Sequence, residues 1–439
     1  MKERIVLPER IYLMAGEGEQ FHIYYRNAII GLAPDEIVNV ICQYGKQYRE
    51  FWRMEPGKAD VPHFDITQGE FPLRLQILNR KLEVVSEQTT QIVIVPKEVK
   101  TEIPMLCIGD SITRCGGYVA QVQESLAWVR SIGTRTYENG KVNREGRGGW
   151  TAENYVKRIV ESDGGDSPFL FPVGEECGHT VYWGNTVFWK RVISEDPSGY
   201  FYDGFLRAAR NQTDAANPFR IGSDGYPFSP QIGDTVCDPS RGHDFSVCRW
   251  DGSEWKTLHP QPHWELDFAR YLAHYQVEMP HIVTFLFGAN EFQTVERIDD
   301  GVDTYLGSMQ QMIDEIHACN PSIRIVINLP VAGADQDAWG LQLGCTGSEA
   351  RYRRNIQEAS LAILRRWDHA QARERGIYIC PILLAVDPYY GFDRSAEPVN
   401  KYVPQRVERH NNWVHPGVVG HQQMGDMLAA TVQGLLSDL

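Results

Sequence analysis

At 439 residues the chain exceeds what one ordinary hydrophobic core serves, so two domains, or one large domain with insertions, is the expected organisation. Hydrophobic residues make up 42% and charged residues 23%, a globular balance, and the net charge of −14 argues against nucleic acid or an anionic membrane surface as partner. No stretch approaches ~18 uninterrupted apolar residues, which argues against a membrane-spanning helix.

Met1-Lys2-Glu3-Arg4 lacks the apolar core of a signal peptide. The expected compartment is cytoplasmic, or extracellular or periplasmic if a leader has been removed. Residues 1–97 read as strands. Runs such as Ile11-Tyr12-Leu13-Met14, Phe21-His22-Ile23-Tyr24-Tyr25 and Gln91-Ile92-Val93-Ile94-Val95 alternate between Gly- and Pro-containing turns. The spacing predicts a small all-β, immunoglobulin-like sandwich. The charged stretch Pro96 to Glu102 then reads as a linker.

From Pro104 to Leu439 the pattern is α/β. Met105-Leu106-Cys107-Ile108 is a short apolar run ending in Gly109-Asp110-Ser111, after which Val119, Val122, Leu126 and Val129 mark one helical face. Further buried strands are expected over 282–287, 323–329 and 377–384. The helices expected between them carry Leu306, Met309, Ile313 and Ile316, then Ile356, Ala359, Ile363 and Trp367. Met424, Met427 or Leu428, Thr431 and Leu435 close the chain with an amphipathic helix. Strands alternating with helices imply a parallel sheet covered on both faces. Residues 151–275 break this rhythm. They are rich in Gly, Pro and Asp, and hold Trp183, Trp189, Trp250, Trp255 and Trp264 of the chain's eleven tryptophans. Such an insertion is expected either to bind ligand through its aromatic faces or to form a lid with its own small core.

Nine cysteines are an odd number without CxxC spacing, so neither a zinc site nor a disulfide framework is implied. Cys107 reads as a small core residue. Cys237 and Cys248 are close enough in sequence to pair in an oxidising compartment.

A serine hydroxyl is a poor nucleophile and needs a base, oxyanion donors and an exposing loop. Gly109-Asp110-Ser111-Ile112-Thr113, between a buried strand and a helix, suits the exposure, because open α/β sheets place ligands at the strands' C-terminal ends. The same residues suit a plain helix cap. Gly146-Arg147-Gly148-Gly149-Trp150-Thr151 offers unobstructed backbone N–H groups, or a simple glycine turn. Asn290, in Phe287-Gly288-Ala289-Asn290, would project at the same sheet edge, or serve as a turn residue. His415, in Asn412-Trp413-Val414-His415-Pro416-Gly417, sits in a loop before the last helix.

Ser, Gly, Asn and His in that order on an α/β pattern resemble the four blocks of the SGNH (GDSL-like) hydrolase superfamily. The match runs from about Met105 to the C-terminus with 151–275 as an unmatched insertion, and it is similar to bacterial carbohydrate esterases that carry an N-terminal β-sandwich. The resemblance implies a three-layer α/β/α flavodoxin-like domain. Without a cluster of ligand residues in the sequence, no metal is expected, and no cofactor. The resemblance also implies Ser111 as nucleophile and His415 as base, with the backbone N–H groups of Ser111 and Gly149 (or Gly148) and the Asn290 side chain as the oxyanion hole. Asp110, Trp150 and Trp413 fall where substrate would lie. Two departures stand out. The family often carries Asp three residues before its histidine, where this chain has Asn412, so the third role falls to Asn412, to Asp387 or Asp393 from upstream, or to no residue. Glu291 stands where Gly-x-Asn-Asp is commoner, which is expected to affect loop packing. No G-x-S-x-G elbow, P-loop or H-E-x-x-H occurs, and the prolines between His259 and His263 argue against a shared metal.

The expected activity is hydrolysis of acyl, most simply acetyl, esters on a small-molecule or glycan substrate. The alternatives are a lipase or thioesterase on the same machinery, or a dead esterase fold that binds carbohydrate.

Overall fold

The computed structural model describes residues 3–58, 61, 63–137, 141–157, 167–173, 232, 235–238, 246–257, 263–339 and 347–437. These form two compact units, one of residues 1–152, 278–307 and 320–439 and the other of residues 153–277 and 308–319.

In the first unit, the N-terminal strands are β1 (Arg10–Ala15), β2 (Phe21–Tyr24), β3 (Ile37–Cys42), β4 (Lys46–Gln47), β5 (Phe51–Met54), β6 (Gly69–Leu78) and β7 (Val84–Pro96). They make one sheet in the order β1-β7-β6-β3 and another in the order β2-β5-β4. Alternation accounts for β6: Phe71, Leu73, Leu75 and Ile77 are buried, while Glu70, Pro72 and Arg74 face solvent. This region is joined to the later chain by buried polar groups. The Asn27 amide donates to the carbonyls of Leu383 at 2.9 Å and Val386 at 2.8 Å, and its oxygen accepts from Arg353 at 2.6 Å. Gln357 donates to the carbonyls of Arg26, Asn27 and Ile29. Stripping one partner from such a buried set leaves the others desolvated, which holds the two regions in one geometry.

The central sheet follows from strands apolar on both faces. β8 (Ile103–Gly109) is buried at every position, as is β12 (Ile282–Leu286). With β9 (Val129–Ile132), β10 (Arg135–Tyr137), β11 (Val142–Gly146), β13 (Arg324–Asn328) and β14 (Ile377–Cys380), they form a sheet in the order β10-β11-β8-β12-β13-β14. β9 and β11 share one edge of β8, β9 against residues 103–106 and β11 against Ile108 and Gly109. All pairings are parallel except that of β10 with β11. The fold is therefore α/β with a parallel sheet. Growth of the sheet reverses between β8 and β12, the point at whose C-terminal edge open α/β sheets place their ligands.

Two expected boundaries move. The helix after Gly116 ends at Ser125, and Val129 opens β9 instead, because the edge of β8 at residues 103–106 offers ladder partners to Val129–Ile132. The run 377–384 is a strand only to Cys380; Pro381 lacks the N–H a ladder needs, and a short helix, Ile382–Ala385, follows. The helices Glu349–Trp367 and Val418–Leu435 bury the periodic residues expected of them. No described helix is long and apolar enough to cross a membrane.

In the second unit, strands Leu170–Val173 and His263–Leu266 pair antiparallel, as do Thr235–Asp238, Ser246–Trp250 and Trp255–Thr257 in sequence. Phe169 packs edge-on against Tyr271, ring centroids 4.8 Å apart, beside Phe268. These aromatics form a core. Trp183 and Trp189, and the side chains of Trp255, Trp264, Cys237 and Cys248, lie outside the described residues.

Candidate active site

Three loops gather at this sheet edge, each leaving the C-terminal end of a central strand. The chain leaving β8 turns at Asp110 into the helix Ser111–Cys115, with the Asp110 carboxylate accepting from the Ile112 N–H at 2.8 Å as its cap. Asp110 is 1% exposed, and its second oxygen has no hydrogen-bond partner. Burial foremost, then the neighbouring Glu291 charge, push its carboxyl up to about 8, so it is mostly protonated at neutral pH. Expected to meet substrate, Asp110 is instead a buried helix cap.

Ser111 is the first residue of that helix, and its Oγ lies 2.7 Å from Nε2 of His415. The loop carrying His415 is pinned on three sides. The Ala334 N–H donates to the Trp413 carbonyl at 3.1 Å, the Gly417 N–H donates to the Gly391 carbonyl at 2.9 Å, and Phe392 bridges to Pro416. Asn412 Oδ1 accepts from the backbone N–H of Val414 and His415 and stands 3.3 Å from Nδ1 of the imidazole. An amide oxygen there only accepts, so this network assigns the proton to Nδ1 and leaves Nε2 to accept from the serine hydroxyl. Burial first, then the charge of Arg114, hold the imidazole below its ordinary proton affinity.

Of the residues considered for the third position, Asn412 is the one in contact with His415. Asp387 is engaged elsewhere, accepting from the Tyr24 hydroxyl and from the N–H groups of Tyr389 and Tyr390, each at 2.8 Å. Asp393 packs against Gly417, where a Cβ would lie 2.2 Å from its Oδ1, and it makes no hydrogen bond to the ring.

The loop after β11 begins at Gly146, where a Cβ would come 2.2 Å from the Arg114 backbone nitrogen, so only glycine permits this approach to the helix of Ser111. Gly149 has φ +77°, the left-handed region open to glycine, with nothing within 4 Å of a would-be Cβ. The loop after β12 carries Asn290, whose amide donates to the Trp150 carbonyl at 2.8 Å. One amide hydrogen thus orients the group, and the amide has a second. Glu291 clamps the two loops together by accepting from the Gly288 N–H at 2.9 Å and the Ala152 N–H at 2.7 Å.

The Trp150 ring, also expected to meet substrate, is 1% exposed with Arg147 over it at 5.2 Å. It is a packing residue, and its carbonyl, not its indole, serves the site. Trp413 is half-buried, edge-on to Trp339 with centroids 5.1 Å apart. Two residues escaped the sequence reading. Arg114 is three residues past the serine, a spacing that could have flagged it. His421, stacked on Tyr118 and pushed down to about 4 by burial and by His415, gave no signal in the sequence.

No family model and no curated protein matches the chain. Several solved structures resemble it weakly. A crystal structure of an acetyl esterase mutant with acetate ion has a TM-score of 0.32 at 13% identity, covering 76% of this chain and 99% of that one. A possible lipase from Chitinophaga pinensis DSM 2588 has a TM-score of 0.36 at 12% identity, covering 76% and 99%. A peptidoglycan O-acetylesterase has a TM-score of 0.29 at 11% identity, covering 77% and 93%.

Proposed function

We propose that this protein is a serine ester hydrolase of the SGNH type, built on a flavodoxin-like layered domain behind a sandwich-like N-terminal region. The observation that carries the reading is the 2.7 Å contact between Ser111 Oγ and His415 Nε2, made by residues 304 apart in the chain. A surface serine and histidine have no reason to be held so by two separately anchored loops.

Ser111 Oγ attacks the ester carbonyl carbon as its proton passes to His415 Nε2. The carbonyl oxygen takes up the charge, facing the Ser111 and Gly149 N–H groups and the second amide hydrogen of Asn290. Collapse breaks the acyl–oxygen bond, and the imidazolium returns its proton to the leaving alcohol. Water then attacks the acyl-enzyme, giving its proton to His415, and the acid departs as Ser111 recovers its hydrogen. Asn412 holds the ring without supplying charge, so the pair works as a dyad. An acetylated carbohydrate is the proposed substrate, with half-buried Trp413, two residues before the base, as the face for a sugar ring.

Incubation with a fluorophosphonate followed by peptide mapping tests the reading directly. A single phosphonyl adduct on Ser111 is expected; modification elsewhere reassigns the nucleophile, and none at all favours a binding protein.

The dyad makes its own prediction. Burial and Arg114 both disfavour the imidazolium, so His415 stays a neutral base to a pH below the ordinary imidazole range, and kcat/KM should fall only as pH drops through that lowered value. Asn412→Asp adds a carboxylate at Nδ1, favours the charged ring, and should move this acidic limb to higher pH. Asn412→Ala should cost about tenfold in kcat or less, the worth of one neutral hydrogen bond. A pH profile unmoved by Asn412→Asp, or an alanine loss equal to that of His415→Ala, contradicts the assignment.

A further inference from the structure

The dyad has a cation beside it that forms no ion pair among the described residues. Arg114 lies three residues beyond Ser111 on the same short helix and is exposed. Among the described residues its side chain joins no ion pair or hydrogen bond. The guanidinium lies over Gly148, where a Cβ would come within 2.6 Å of Nη1 and 2.8 Å of Cζ. Its charge also reaches His415, where it is second to burial in holding the imidazole neutral. Arg114 therefore sits between the glycine loop and the histidine loop, at the rim of the serine.

Two acidic groups on the loops around the serine, Asp110 and Glu291, do not balance it. Asp110 is buried as a cap, with its carboxyl pushed up to about 8. Glu291 is committed to the N–H groups of Gly288 and Ala152. Position 412, where a carboxylate would neutralise the site, is an asparagine. A chain with a net charge of −14 thus keeps positive charge beside its nucleophile, an arrangement that attracts anionic ligands. A guanidinium pairs with a carboxylate through two parallel hydrogen bonds, so an unpaired one at a substrate rim selects for that group.

The geometry points to Arg114 as a specificity-determining residue that binds a carboxylate on the substrate, making acylated acidic sugars the preferred esters. This rests on the esterase reading above and adds the charge of the substrate to it.

The test compares acetylated glucuronic acid with acetylated glucose. In the unmodified enzyme kcat/KM should favour the acidic ester. Arg114→Gln should lower the ratio of the two values by about 10- to 100-fold, the range for losing a charge-assisted contact, and Arg114→Lys should recover part of it. In the Ser111→Ala background, calorimetry should show the same preference in Kd, and its loss with Arg114→Gln, without turnover. A ratio that Arg114→Gln leaves unchanged, or a preference for the neutral ester in the unmodified enzyme, overturns the assignment. Absence of turnover on both esters with the Kd preference intact would sink the esterase reading while supporting the carboxylate site.

Discussion

Ser111→Ala and His415→Ala should each lower kcat by ~10⁴–10⁶, and the double variant should be no slower than the worse single one. The reasoning is geometric. The hydroxyl is useful only with a base 2.7 Å away, and the imidazole has no other proton to take in the first step. Removing either group therefore removes the same event, and the two losses do not add. The lower end of the range is the more apt, since a dyad oriented by an amide starts from less rate enhancement than a triad with a carboxylate. Steady-state rates on an acetyl ester, with near-ultraviolet circular dichroism to verify folding, check this. Two losses that multiply in the double variant would mean that the residues act in separate steps, and the contact between them would then have no catalytic meaning.

Much of this arrangement was legible in the residues. Strands apolar on both faces, such as Met105 to Ile108, announce a covered parallel sheet, and a small-residue turn directly after one marks its C-terminal edge. The order Ser111, Gly149, Asn290, His415 was readable because each follows or precedes a periodic element. What pattern could not reveal is direction. Asp110 and Trp150 stand beside functional positions, but burial turns both inward, and no periodicity separates a residue lining a crevice from its neighbour under it. The tie between the N-terminal strands and the later chain was equally hidden, since Asn27, Gln357 and Arg353 are polar residues that read as surface until their partners, more than 300 positions away, are placed. Asp387 looked available for the histidine for the same reason. Its engagement by Tyr24 is a long-range contact.

Asn290→Ala should lower kcat by ~10²–10³ with little change in KM, if its second amide hydrogen meets the oxygen only as charge develops there. The same side chain also holds the Trp150 carbonyl at 2.8 Å, so a displaced glycine loop could slow the enzyme by another route. The two causes separate by readout. Trp150 is buried against Arg147, and a shifted loop would alter its environment and hence the near-ultraviolet difference spectrum between variant and parent, taken as the Trp150 signal. Loss of an oxyanion donor leaves that signal unaltered and slows phosphonylation of Ser111 more than it weakens reversible binding. A fall in kcat of less than about tenfold with an unaltered Trp150 signal rejects the donor role. A large fall accompanied by a changed signal assigns Asn290 to holding the Gly148–Gly149 turn, and the oxyanion would then rest on backbone N–H groups alone. In either case Glu291, which ties Gly288 to Ala152, keeps the two loops joined, so the variant is expected to stay folded and the comparison to remain interpretable.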